Sequence, residues 1–239
     1  MLTAPEIERH WALFLDLDGT LIDIAPAPDM VIVPSGLTDA LTHVRTALGG
    51  AVAVVSGRRL GEIDQLLSPL RLPVAAEHGA IIRLPSGQFD PLPDALRPPP
   101  EWADQLRQST QDWSGILVEE KTYSIAIHYR LSPHHEDAVH RVASSLVRAA
   151  PARFELLALK RAFEVRPKGA SKARAVNVLM ELEPFRGRQP VFVGDDATDE
   201  DGMASAVGFG GLGLNVDAAF GGKTLAVRDW LKRAADSLT

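Results

Sequence analysis

The stretch WALFLDLDGTL, residues 11–21, decides the fold. Five apolar residues, from Trp11 to Leu15, run without interruption and stop at Asp16. So short and uniform a run fits a strand covered on both faces, as in a parallel sheet. Two carboxylates follow, Asp16 and Asp18. Two residues apart on extended backbone, they share a face. Gly19 then permits a turn. An Asp-Gly turn after a strand is common in itself, so the weight rests on what surrounds it.

Working outward, the same pattern repeats. Ser35-Gly36 precedes a helical face of Leu37, Leu41, Val44 and Leu48, with Ser35 as the expected N-cap and Gly49-Gly50 as the stop. AVAVV (51–55) is a second buried strand ending in Ser56-Gly57-Arg58. A short helix with Leu60, Ile63 and Leu67 follows, and Pro69 ends it. PVAA (73–76) is a third strand, ending in Glu77-His78-Gly79. Ligands in open α/β sheets bind outside the carboxyl ends of the strands, so these three polar clusters are expected to share one crevice.

The middle of the chain changes character. Pro98-Pro99-Pro100 reads as a stiff extended segment, and a helix is expected from Trp102 to Trp113. GILVEEK (115–121) and TYSIAIHYR (122–130) look like an antiparallel pair, the second with Tyr123, Ile125, Ile127 and Tyr129 on one face. Pro133 opens a helix with Ala138, Val142, Leu146 and Ala149 on one side, and RFELLAL and RAFEVR supply two more strands. After Pro167 the first pattern returns. It brings a helix over 171–182, the strand PVFVG (190–194), the acidic run 195–201, a Gly-rich segment (208–215) and a helix near 228–237. The prediction is an α/β protein, a Rossmann-like doubly wound parallel sheet with an inserted α+β cap. The core segments are 1–97 and 167–239, and the cap is 98–166.

Composition narrows the function. The 239 residues hold 31 acidic and 25 basic side chains and no cysteine, which excludes disulfides, thiol nucleophiles and thiolate zinc sites. A mildly acidic chain without a Lys/Arg cluster does not suit nucleic acid. No apolar run approaches the roughly 18 residues of a membrane span, and MLTAPEIERHW does not read as a signal peptide. The expectation is a cytoplasmic monomer acting on a small molecule. Five acids fall within the seven residues Asp195 to Asp201, more than a helix start needs. Such packed charge asks for a cation, and a Mg2+ ion prefers carboxylate oxygens. Ser56-Gly57 offers a hydroxyl and backbone N–H groups where a phosphate could sit. Lys168 and Lys172 precede the fourth core strand, and lone lysines there are usually solvated.

Strand-DxDGTL resembles the nucleophile motif of the haloacid dehalogenase superfamily. Within it, the chain is similar to trehalose-6-phosphate phosphatases in LDLDGTL (15–21), VVSGR (54–58), EHGA (77–80), KTYSIAIHYR (121–130), FEVRPKGASK (163–172) and GDDATDED (194–201). That family usually has Lys-Gly where this chain has Lys172-Ala173. The resemblance implies Mg2+-dependent hydrolysis of trehalose 6-phosphate, the last step of trehalose biosynthesis, through an aspartyl-phosphate. It makes Asp16 the nucleophile and Asp18 the general acid/base. Ser56, Gly57 and a lysine would hold phosphate, the lysine being Lys172, 23 residues before Asp195, with Lys168, 27 before it, as the competing candidate; Asp199 would orient Lys172 or metal-bound water. Asp16, Asp195 and the Asp18 backbone carbonyl would hold the metal. Arg58, Glu77, His78, Lys121, Arg130 and Glu164 would bind the substrate, with Lys121, Arg130 and Glu164 at the sugar ring farther from the phosphate and the cap closing over the core. His134, His135 and His140 are expected to be solvated, and Trp102 and Trp113 to pack the cap. Sucrose phosphate, mannosylglycerate phosphate and a phosphosugar mutase reaction are the alternatives within the same superfamily.

Overall fold

The computed structural model describes residues 4–25 and 30–238. Met1 to Thr3, the start of the stretch read for a leader, therefore lie outside the described residues. The chain forms two compact units, Met1–Pro91 with Ser171–Thr239, and Leu92–Ala170. The smaller unit thus takes in 92–97 and 167–170 besides 98–166.

The larger unit begins with β1 (Trp11–Leu15), α1 (Leu37–Ala47), β2 (Val52–Val55), α2 (Leu60–Leu66) and β3 (Val74–Ala76). Every residue of these three strands is buried, as their apolar runs require. Helix α1 is capped by Gly36 in the left-handed region, with no side-chain cap bond, so Ser35 is not its N-cap. Two short strands follow that the sequence reading did not anticipate, β4 (Ile81–Arg83) and β5 (Phe89–Pro91). They add to the sheet as an antiparallel hairpin.

In the smaller unit, α3 is Pro100–Thr110, so the third proline opens a helix rather than extending a rod. Then come β6 (Leu117–Glu120), β7 (Ile125–His128), α4 (Glu136–Ala149), β8 (Phe154–Leu159) and β9 (Ala162–Pro167). The four strands form an antiparallel sheet in the order β6-β7-β9-β8. Ile125, Ile127, Phe163 and Val165 point into a core shared with Trp102, Leu106 and Phe154. The buried stripe of α4 is Val139, Ala143 and Leu146; of the expected face Leu146 is buried, Ala138 and Val142 are half-buried and Ala149 is exposed.

The chain returns through α5 (Lys172–Met180), β10 (Gln189–Gly194), α6 (Glu200–Gly208), β11 (Leu212–Asn215), α7 (Val216–Phe220) and α8 (Thr224–Ser237). The seven-stranded sheet runs β11-β10-β1-β2-β3-β4-β5, with its first five strands parallel. Alternate residues of each strand serve opposite cores. Leu13, Leu15, Val52 and Val54 meet Leu41, Val44 and Leu231, while Phe14, Ala53 and Phe192 meet Val176, Leu179 and Phe185. This is double winding, and it explains why the strands are apolar throughout. From β1 the chain steps outward to β2 and β3, later returning to β1's other side as β10. The switch point lies between β1 and β10, where Leu15 pairs with Val193.

Candidate active site

The register at the switch point sets the geometry. Asp16 donates its backbone N–H to Val193 O at 2.9 Å, so Asp16 and Asp195 leave the sheet side by side. A Cβ added at Gly19 would lie 2.2 Å from Asp195 Oδ2, so the Asp195 carboxylate abuts the turn that follows Asp18. Asp199 comes from the turn preceding α6. Its Oδ2 accepts the backbone N–H groups of Asp195 and Asp196, each at 3.1 Å. Asp196 closes this turn as a cap, accepting from Thr198 N at 2.8 Å and Thr198 Oγ1 at 2.6 Å.

Lys172 opens α5, whose N-cap is Ser171. The ammonium donates to Asp16 Oδ1 at 2.7 Å and Asp199 Oδ1 at 2.6 Å, with all three side chains buried. Lys168 is exposed. Burial pulls the Lys172 ammonium down, but Asp16, Asp199 and Asp196 outweigh it and hold the group above its ordinary range. Burial pushes the Asp16 carboxyl well above its ordinary value even with Lys172 in contact, and the charges of Asp199 and Asp195 add to the rise. Asp199 is raised as well, first by burial.

Asp16, Asp195 and Asp199 each bring a carboxylate oxygen within 4.8 Å of the others. One lysine stands among these three acids, which leaves the cluster underneutralised. An all-oxygen, anionic set of this kind fits a hard divalent cation. Both Asp199 oxygens already accept bonds, Oδ1 from Lys172 and Oδ2 from two backbone N–H groups.

The next two strands complete the rim. Ser56, at the end of β2, is buried, and its Oγ accepts the Arg58 N–H at 3.2 Å. Arg58 grips Asp18 with two bonds, Nε to Oδ2 at 2.6 Å and Nη2 to Oδ1 at 2.7 Å. At the end of β3, Glu77, His78 and Gly79 hold φ values of 49°, 55° and 89° in succession. Left-handed backbone in two buried non-glycine residues is strained and persists only where surroundings over-determine it. Here Glu77 N donates to Arg58 O and His78 N to Ser56 O, both at 3.0 Å, and Arg174 Nη1 donates to Gly79 O at 2.6 Å. The crevice-forming residues after β1, β2, β3 and β10 therefore converge at one end of the sheet.

A model of the trehalose-phosphatase family matches residues 14–219. This chain belongs to that family. It is 39% identical to the trehalose-6-phosphate phosphatase of Escherichia coli (strain K12) over 214 residues, which is 89% of this chain and 79% of that protein. It is also 39% identical over 214 residues to a probable trehalose-phosphate phosphatase of Sinorhizobium fredii, covering 87% and 78% of the two chains. The C-terminal domain of Candida albicans trehalose-6-phosphate phosphatase shares the fold with a TM-score of 0.80 at 19% identity, over 97% of this chain and 98% of that one.

In this trehalose-phosphatase family member, the smaller unit carries its polar residues on the sheet face opposite its core. Lys121 pairs with Glu164 at 3.2 Å, and Ser124 Oγ also donates to Glu164. Arg130 is half-buried beyond β7. The sequence reading overlooked Glu119, which sits in one row with Ala126 and Glu164 and pairs with His128 Nε2 at 2.8 Å. Burial alone would raise the Glu119 carboxyl, but His128 and then Lys121 hold it below its ordinary value. The available signal was the spacing of Glu119 and Lys121, two residues apart in LVEEK and so on one strand face. It also missed Arg174. His134 and His140 are exposed, whereas His135 is half-buried, stacked on Trp113 with ring centroids 5.0 Å apart, and so only partly solvated. Trp102 packs on Phe154 at 4.9 Å.

Proposed function

We propose that the chain hydrolyses trehalose 6-phosphate with Mg2+, through a phosphoryl group carried on Asp16. The observation that carries this reading is the buried Asp16–Lys172–Asp199 contact beside Asp195, at the switch point of a trehalose-phosphatase fold. An Asp16 oxygen attacks phosphorus and the bond from phosphorus to the sugar oxygen breaks. Asp18 gives that oxygen its proton and later takes one from the water that cleaves the Asp16–phosphorus bond. The Ser56 hydroxyl, the Gly57 backbone and the Lys172 ammonium bind the phosphoryl oxygens, and Asp199 holds Lys172 in place. Asp16, Asp195 and the Asp18 carbonyl would hold Mg2+, which would supply the positive charge that lets a carboxylate meet a phosphate dianion. Lys121, Arg130 and Glu164 select the sugar, with Glu77 and His78 as further contacts.

The test is phosphate release over a panel of trehalose 6-phosphate, sucrose 6-phosphate, mannosylglycerate phosphate and mannose phosphates. Trehalose 6-phosphate should lead it, EDTA should abolish turnover, and Mg2+ should restore it. A lead for another sugar phosphate would replace the substrate. Indifference to chelation would reject the metal role, and phosphoryl transfer to a second sugar without release of phosphate would favour the mutase reaction.

A further inference from the structure

We infer that Arg58 is a positioning residue that sets the plane of the Asp18 carboxylate, and not a sugar contact. The inference rests on the reading of Asp18 as proton carrier. Asp18 stands in a turn with a third of its side chain exposed, where a short carboxylate would otherwise sample several rotamers. The guanidinium occupies both of its oxygens, at 2.6 and 2.7 Å. A planar fork on a planar carboxylate fixes orientation as well as distance, which a single ammonium cannot do.

Arg58 is itself held rigidly. Its side chain is 12% exposed and lies 3.6 Å from Glu62 on α2. Its backbone N–H bonds Ser56 Oγ and its carbonyl accepts from Glu77, at 3.2 and 3.0 Å. One residue therefore links the hydroxyl assigned to phosphate, the strained turn after β3, and the carboxylate assigned to the proton. Asp18 must face the sugar oxygen in the first half of the reaction and water in the second. A fixed plane serves both halves.

The test is a double-mutant cycle of Arg58→Ala with Asp18→Asn, with Arg58→Lys alongside, read on trehalose 6-phosphate and on p-nitrophenyl phosphate. Arg58→Ala should lower kcat roughly 10–100-fold on both substrates and change KM less than about 3-fold, a fraction of what general acid/base catalysis contributes. In the Asp18→Asn background the same change should cost less than about 3-fold, because coupled residues are not additive. Arg58→Lys keeps the charge and loses the fork, so it should stay below about a tenth of wild-type turnover. Equal losses in both backgrounds, or full activity in Arg58→Lys, would overturn the inference. So would a rise in KM confined to trehalose 6-phosphate. A wild-type chain inert on trehalose 6-phosphate that still shows this coupling on the small ester would reject the substrate and leave the Arg58–Asp18 pairing standing.

Discussion

Asp16 is the residue where function and stability oppose each other. Its carboxylate is buried, touches Lys172, and still faces two further acids. With no cation bound, burial and those neighbours favour its protonated form. A carboxyl raised on folding stabilises the native state fully below its unfolded value, and that contribution is lost as pH climbs through the folded value. In EDTA the wild-type chain should therefore lose stability at this site between acid and neutral pH. Asp16→Asn removes the titrating charge and leaves Lys172 paired with Asp199 at 2.6 Å. This variant should release no phosphate yet melt at or above the wild-type temperature at pH 7 in EDTA, with a smaller advantage at pH 4. Thermal melts at the two pH values check this, and an advantage that shrank toward neutral pH would contradict it.

At the scale of elements, the site depends on how strand ends are tied together. Gly79 ends the left-handed turn after β3, and a Cβ there would lie 2.3 Å from the carbonyl oxygen of Ser171, the N-cap of α5. Gly87 has a similar φ of 86° but open space around it. Gly87→Ala should cost about 1–2 kcal/mol for its left-handed backbone and leave turnover unchanged. Gly79→Ala should cost more and also lower kcat, because the clash pushes the start of α5 and carries Lys172 with it. Chemical denaturation and steady-state kinetics on both variants separate the two effects.

The same scale explains what the sequence could and could not convey. Strands β1, β2, β3 and β10 were legible because burial on both faces demands unbroken apolar runs. Strands β4, β5 and β11 were not. They are three or four residues long, β5 contains Pro91 and β11 contains Gly213, so neighbouring strands and not their own residues specify them. Asp16, Asp18, Asp195 and Asp199 stand out as local clusters, whereas Lys172 was set apart from Lys168 by the family resemblance and not by its own surroundings in the sequence. The grip of Arg58 on Asp18 spans 40 residues and exists only because β2 lies beside β1. No periodicity in either segment encodes it.

For the whole molecule, the division into two units separates the groups assigned to chemistry from those assigned to selection. Asp16, Asp18, Ser56, Lys172 and Asp195 belong to the larger unit, and Lys121, Arg130 and Glu164 to the smaller. Charge follows the same division. Asp16, Asp18 and the five acids from Asp195 to Asp201 are seven of the 31 acidic residues, and without them acids and bases nearly balance at 24 to 25. The acidic excess is thus concentrated at one end of the larger unit's sheet. Removing a selecting residue should then leave the chemistry intact. Arg130→Ala deletes a guanidinium assigned to sugar hydroxyls, and a hydrogen bond to a charged group contributes about 1.5–3 kcal/mol. The value of kcat/KM for trehalose 6-phosphate should fall roughly 10–100-fold, while that for p-nitrophenyl phosphate, which has no sugar to lose, stays within about 2-fold. Competition between the two substrates in one assay gives the ratio directly. Parallel losses on both would mean that Arg130 supports the fold or the chemistry, and the selecting role would pass to Lys121 and Glu164.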